Sequence, residues 1–142
     1  MSGPLELSDL DLPDGFALQA ELPTVIVHVA REHDFRPNLI VTAQPLSEGV
    51  SLEAWVEANV EEQLALLAAP RLIDRERHEE SPPAERTLIH HVHGPHSVTL
   101  EQWWRLASGR GCVASASCAT LDYDEFAGSF ASIAAAIDAR LA

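Results

Sequence analysis

The C-terminal part of the chain carries one apolar stripe at helical spacing, and this stripe limits the fold more than any other feature. Asp122 can cap the helix, and Glu125, three residues later, completes a capping box. The stripe repeats at i, i+4, i+7, i+11 and i+15 and consists of Phe126, Phe130, Ile133, Ile137 and Leu141. A helix with one apolar face must cover another layer, so the sequence predicts a helix over 122–141 that packs on the rest of the protein.

A second amphipathic helix is predicted in the middle of the chain. Ser51 is the expected N-cap residue, and Glu53 lies in the first turn, where a carboxylate complements the helix dipole. Pro70 is expected to end this helix. Its inward face has helical spacing and comprises Leu52, Trp55, Val56, Val60, Gln63, Leu64 and Leu67.

Seven segments with alternating or β-branched residues predict strands, and turn signals rich in Pro and Gly separate them. The segments cover residues 16–22, 24–31, 38–44, 72–80, 84–94, 97–107 and 112–119. Most connections between consecutive strands have hairpin length, which favours antiparallel pairing. The order β-β-β-α-β-β-β-β-α therefore predicts an α+β fold, in which helices pack on a mostly antiparallel sheet.

The charge balance limits the classes of partner. The chain has 142 residues, with 9 basic and 22 acidic side chains and a formal net charge of −13. All nine basic residues are arginine, which excludes a lysine Schiff base and a phosphate-binding Walker lysine. Nucleic acid is not expected as a partner, because its binding depends on clustered basic residues. The length predicts a single domain over 1–142, with a polar leader at 1–14.

The location is predicted to be cytoplasmic. The N-terminus has no basic region followed by an apolar run, so no signal peptide is expected, and no apolar run reaches the length of a membrane span.

Cys112 and Cys118 are six residues apart, an even separation that places both side chains on one face of a strand at about 20 Å from each other. Because a disulfide needs a much shorter distance, buried free thiols are expected.

Two short segments carry a resemblance to a known family. The first is Phe35-Arg36-Pro37-Asn38-Leu39-Ile40-Val41, at the start of the third strand, and the second is Ser51-Leu52-Glu53-Ala54-Trp55, at the start of the first helix. With the order of elements, they resemble the PsbP-like fold superfamily and, within it, the actinobacterial LpqN/LpqT type. The resemblance covers residues 15–141 and implies an α/β/α sandwich.

The resemblance also implies a class of function. Relatives of this fold serve as photosystem accessory subunits, a Ran-binding import factor, envelope lipoproteins and chaperones for secreted effectors, so no enzymatic activity and no cofactor are expected. The first hypothesis is thus a non-catalytic interaction module, an adaptor or chaperone for a secreted or membrane-associated protein. The acidic surface favours a basic or amphipathic protein partner. A homodimer is left open.

Trp103 is the central residue of the predicted partner site. Adjacent strand residues face opposite ways, so if Trp104 enters the core, Trp103 lies on the other face with Glu101 and Arg105. An exposed Trp beside an Arg is typical of a binding hot spot. Burial under the N-terminal segment or the terminal helix, or at a subunit contact, is the alternative for Trp103.

The second hypothesis is a small-molecule or metal-binding protein. His91 and His93 share one face of a strand, and an H-x-H pair can supply two imidazoles to a transition metal. His78 or His96 is the predicted third ligand. A polar strand face that meets solvent or acidic neighbours is the alternative interpretation. His28 and His33 lie elsewhere in the chain.

An enzyme is the third hypothesis, and the sequence gives it the least support. There is no G-x-S-x-G nucleophile motif. The glycines of residues 108–111 lead into a strand and not into a helix, so this segment predicts a hairpin loop and not a phosphate-binding loop.

Overall fold

Seven strands form one antiparallel sheet in the computed structural model, which describes residues 7, 9–21, 24–29, 35–79 and 82–141. The strands are β1 (Phe16–Glu21), β2 (Thr24–His28), β3 (Asn38–Pro45), β4 (Ala68–His78), β5 (Ala84–His93), β6 (His96–Ala107) and β7 (Arg110–Ala119). Their order across the sheet is β1-β2-β3-β7-β6-β5-β4, and every neighbouring pair is antiparallel. The α+β class and the predicted order of elements are confirmed.

The two helices are α1 (Leu52–Leu66) and α2 (Tyr123–Leu141), and a short 3-10 turn, Thr120–Asp122, precedes α2. The Ser51 side chain accepts a hydrogen bond from the Ala54 amide at 3.1 Å, as its predicted role as N-cap requires. Within the described ranges, no helix combines the length and the apolar character needed to cross a membrane.

The predicted end of α1 is wrong. The helix ends at Leu66, because Leu67 already has extended backbone angles, and Pro70 lies inside strand β4. A proline is tolerated there because β4 is the edge strand of the sheet, where a missing N–H need not break a ladder bond. The register of β4 is irregular between Ala68 and Arg71, and Ala69 has a left-handed φ of 47°. These irregularities and the charged second half of β4 protect the edge against pairing with another chain.

The two helices cover opposite faces of the sheet. Alternation along β6 directs Trp104 to the α1 face, where its ring meets Trp55 edge-on at 5.2 Å, and directs Trp103 to the α2 face. The α1 face is smaller, with buried Leu52, Trp55, Val56, Val60 and Trp104. The α2 face contains the larger core, with buried Phe16, Ile26, Leu39, Val41, Ala114, Ala116, Cys118, Phe126, Phe130, Ile133 and Ile137.

The N-terminal leader contributes to the core of the α2 face, although its composition predicts a polar segment. Leu7 is buried there, and Leu10 and Leu12 pack against the same cluster. Asp9 forms an ion pair with Arg140 near the end of α2. The three leucines are separated by polar residues, so they form no helical or strand pattern that would reveal their burial.

Both cysteines are buried free thiols, as predicted. Burial raises the pKa of Cys118 to about 12, and the negative charges of Asp122 and Glu101 act in the same direction. Burial also raises the pKa of Cys112. Both thiols therefore remain protonated at neutral pH and pack as small apolar side chains.

A buried carboxylate joins the outer strands to α1. Glu85, on the α1 face of β5, accepts a hydrogen bond from Arg75 Nε at 2.9 Å, and its second oxygen lies 3.6 Å from Arg77 Nε. The same two arginines reach α1, since Arg75 Nη1 pairs with Glu57 at 2.6 Å and Arg77 Nη2 pairs with Glu53 at 2.8 Å. Glu85 thus holds in place the two side chains that bridge β4 and α1.

The first test of this packing concerns Gly111 on β7. A Cβ atom at this position would lie 2.6 Å from Trp55 Cη2, so Gly111→Ala forces apart β7 and the rigid indole. We expect the free energy of unfolding to fall by about 1–3 kcal/mol, measured by urea denaturation. Gly128→Ala is the control, because a Cβ there meets nothing within 4 Å and Ala favours the helix by about 0.5–1 kcal/mol. Unchanged stability of Gly111→Ala would contradict the contact with Trp55.

The second test removes the charge of Glu85. In Glu85→Gln the two arginines keep their positive charges while losing the buried carboxylate, so we expect a loss of about 3 kcal/mol in the free energy of unfolding. Glu53→Gln removes an exposed partner of the same arginine pair and should cost less than about 1 kcal/mol. Equal effects of the two substitutions would show that Glu85 does not organise the cluster.

Candidate functional site

A cleft of about 380 Å³ opens on the α2 face, between the C-terminal part of α2 and the outer strands. The end of β4, the start of β5 and the second half of β6 form its floor, and Asp138 of α2 forms one wall. The side chains that define its chemistry are Trp103, Arg86, Arg105, Asp138 and His78. We call this site the Trp103 cleft.

Trp103 is half-buried in the floor of the cleft. One part of the side chain packs against the core under α2, and another part lines the open cavity. Trp104 is 2% exposed on the other face, so the predicted opposition of the two indoles is confirmed. From the sequence, Trp103 was expected to be either exposed as a binding residue or buried under a segment such as the terminal helix. In the structure both apply in part, because α2 covers only part of the ring.

Glu101 and Arg86 form a buried ion pair beside Trp103. Arg86 Nε donates to Glu101 Oε2 at 2.5 Å, and the Tyr123 hydroxyl donates to Glu101 Oε1 at 3.0 Å. Arg86 Nη1 also donates to Asp74 and Glu76 on β4. Burial lowers the pKa of Arg86, but the hydrogen bond to Glu101 and the other acceptors raise it by more, so the guanidinium stays charged.

A second ion pair closes the cleft on the side of α2. Arg105 Nη2 donates to Asp138 Oδ2 at 3.1 Å. Burial raises the pKa of Asp138, while the charge and the hydrogen bond of Arg105 oppose this shift. Arg105 Nε is buried and has no hydrogen-bond partner within the described part of the chain. This pair connects α2 to β6 at the wall of the cleft.

Three of the carboxylates that pair with the two arginines of the cleft are more exposed than the arginines themselves. The side chains of Arg86 and Arg105 are 20% and 17% exposed, whereas those of Asp74, Glu76 and Asp138 are 50%, 48% and 37% exposed. Of these three carboxylates, Asp138 lines the cleft, whereas Asp74 and Glu76 are connected to it through Arg86. An aromatic surface with exposed carboxylates nearby is suited to a ligand that combines apolar surface with positive charge.

The structure places the three predicted partner-site residues, Trp103, Arg105 and Glu101, on one face of β6. Glu101, however, is buried in its ion pair and is not part of the surface. Arg86 and Asp138 are two further residues of the cleft that no sequence motif indicates. Arg86 stands directly opposite Trp103 in the pairing of β5 with β6, so only the strand register reveals it.

The predicted metal ligands are not all brought together. His91 and His93 share a face of β5, and His96 stands directly opposite His93. His78 pairs with Ala84 near the other end of β5, roughly 23 Å along the strand from His91, so its prediction as a third ligand is wrong. In the described ranges, no three His, Cys, Asp or Glu side chains are grouped closely enough to hold a metal ion.

Other contacts surround the remaining histidines. The rings of His93 and His96 meet Phe35 edge-on at 6.2 and 5.9 Å. Burial lowers the pKa of His91, which disfavours its charged form. His28 packs against Phe126 at 4.8 Å on the α2 face, and His33 lies outside the described residues.

Three solved structures share this architecture. PA94 of Pseudomonas aeruginosa, a protein of unknown function considered a candidate regulator, has a TM-score of 0.68 at 10% identity, over 87% of this chain and 85% of its own. LpqN of Mycobacterium tuberculosis, involved in cell envelope biogenesis, has a TM-score of 0.61 at 15% identity, over 85% of this chain and 76% of its own. The cyanobacterial PsbP of Synechocystis has a TM-score of 0.63 at 14% identity, over 87% of this chain and 81% of its own.

No protein-family model and no curated protein matches the sequence. The structural similarity nevertheless extends over most of each compared chain, and it includes members of both groups that the sequence motifs indicate. The chain therefore has the PsbP-like fold, which it shares with LpqN.

Proposed function

We propose that the protein is a non-catalytic interaction module that holds a basic, amphipathic segment of a partner protein in the Trp103 cleft. One observation carries this proposal. Trp103 is half-buried in the floor of an open cavity whose wall includes the carboxylate of Asp138, and the exposed carboxylates of Asp74 and Glu76 pair with Arg86, which also lines the cavity.

The aromatic floor supports protein binding because an indole offers a large, rigid contact surface and loses little conformational entropy when it is covered. Trp103 cannot be buried further in the core, because α2 already packs against part of the Trp103 ring. A partner side chain that fills the cavity would thus complete the burial of the ring.

The net charge of the chain supports the choice of a basic partner. A formal net charge of −13 over 142 residues attracts cationic segments at long range and disfavours acidic ones. The size of the cleft, about 380 Å³, is at the small end for ligand sites and is suited to a few side chains of a segment.

The fold is compatible with this role without defining it. Two of the structures that share it are a candidate regulator and a protein involved in cell envelope biogenesis, so one scaffold serves in different settings. More specifically, we propose that the protein is an adaptor or a chaperone for a secreted or membrane-associated protein. The cytoplasmic location stays a prediction, and a homodimer stays open.

The experiment compares partner binding by the wild type and by two variants. Trp103→Ala should weaken a partner captured by the wild type by about 30-fold or more, because hot-spot truncations cost roughly 2 kcal/mol or more. Leu121→Ala is the matched control: Leu121 is 97% exposed and precedes α2, away from the cleft. Its affinity should stay within about twofold, as for surface positions outside an interface. Calorimetry with the purified partner measures both values.

A third variant separates a loss of binding from a loss of folding. Trp103→Leu keeps an apolar side chain against α2 while removing the indole surface, so it should remain folded in a denaturation experiment and still lose the partner. A partner that binds Trp103→Leu and Trp103→Ala as tightly as the wild type would overturn the proposed function.

A further inference from the structure

We propose that the tip of the β5–β6 hairpin binds a transition-metal dication, with Cu²⁺ as the tightest, between the imidazoles of His93 and His96. This inference goes beyond the proposed function and concerns the opposite end of the hairpin from the Trp103 cleft. It rests on the register of β5 with β6, on the turn that joins them and on the surroundings of the two rings.

The strand register brings the two imidazoles to one face. His93 and His96 are directly opposite each other at the end of the β5–β6 pairing. Directly opposite residues of an antiparallel pair share a face, and their Cβ atoms lie about 5 Å apart. A bond from imidazole nitrogen to zinc is about 2.0–2.1 Å long, so both rings can reach one ion by rotation about their side-chain bonds.

The turn between the two histidines holds this separation. It contains only Gly94 and Pro95, and Gly94 has a φ of 58°. A positive φ at the first position followed by proline is typical of a type II′ turn, whose twist matches that of the two strands. The pairing continues without a register shift to Ala84 and Arg105. The backbone of the site is therefore ordered before an ion binds, which lowers the entropic cost of binding.

Both imidazoles are available to a ligand. His93 is exposed and His96 is half-buried, and neither ring makes a hydrogen bond or an ion pair within the residues that the structure describes. Phe35 meets both rings edge-on, at 6.2 and 5.9 Å between ring centroids, so the two imidazoles lie beside one apolar side chain. Their nitrogens need not give up a protein partner in order to bind a metal.

The donor set determines the class of metal. Imidazole suits Cu²⁺, Ni²⁺ and Zn²⁺, with Cu²⁺ bound most tightly, whereas Mg²⁺ and Ca²⁺ prefer oxygen ligands. His91 shares the face, but its Nδ1 is buried, and among the described residues no third metal-binding side chain is close enough. Two imidazoles and water therefore make up the coordination. The formal net charge of −13 attracts the dication.

The test titrates Cu²⁺ into the full chain without an affinity tag, with glycine present to suppress weak carboxylate sites. We expect one saturable site whose electron paramagnetic resonance spectrum shows hyperfine coupling to two imidazole nitrogens. His93→Ala and His96→Ala should each weaken binding about tenfold or more, because each removes one of the two protein ligands. Circular dichroism checks that both variants are folded. In the wild type, substoichiometric Cu²⁺ should broaden the ring signals of His93 and His96 first, which locates the ion without a substitution.

Two other histidines provide matched controls. His90 lies on the opposite face of β5, and His78 pairs with Ala84 at the far end of that strand. His90→Ala and His78→Ala should therefore bind Cu²⁺ as the wild type does. Absence of saturable binding, displacement of Cu²⁺ by millimolar Mg²⁺, or unchanged binding by folded His93→Ala would overturn the inference.

Discussion

Adjacent residues of β6 face opposite sides of the sheet, and a different helix covers each side. Trp104 enters the core under α1 and donates a hydrogen bond to Thr87, whereas Trp103 lies between the core under α2 and the open cleft. The site depends on this alternation, because one strand supplies both an anchor for α1 and the aromatic floor of the cleft. A shift of register by one residue would exchange the two indoles and remove the cleft.

Arginine organises the charged half of the sheet on both faces. Neighbouring residues of β5, Glu85 and Arg86, direct one ion cluster toward α1 and another toward α2. In the second cluster Glu101 is buried with Arg86, while Asp74, Glu76 and Asp138 are exposed to solvent. Arginine suits such sites because its planar group pairs with several carboxylates and is only weakly hydrated.

The sequence predicts helices and strands well where a single periodicity of side chains runs through the whole segment. The stripe of α2 and the alternation of β6 depend on local spacing alone, so the helix and the opposite directions of Trp103 and Trp104 could be predicted. Arg86, Asp138 and the distance of His78 from His91 depend on register and on the placement of α2, which are set by pairing over long separations. The end of α1 was misplaced because Pro70 is compatible with an edge strand.

The most direct test of this account measures the solvent exposure of the three tryptophans in one sample. The chain is labelled with 5-fluorotryptophan, the 19F signals are assigned by single Trp→Phe variants, and a soluble gadolinium chelate is added. We expect strong relaxation enhancement for Trp103 and weak enhancement for Trp55 and Trp104, which are 7% and 2% exposed. Equal enhancement of Trp103 and Trp104 would contradict the assignment of the two indoles to opposite faces.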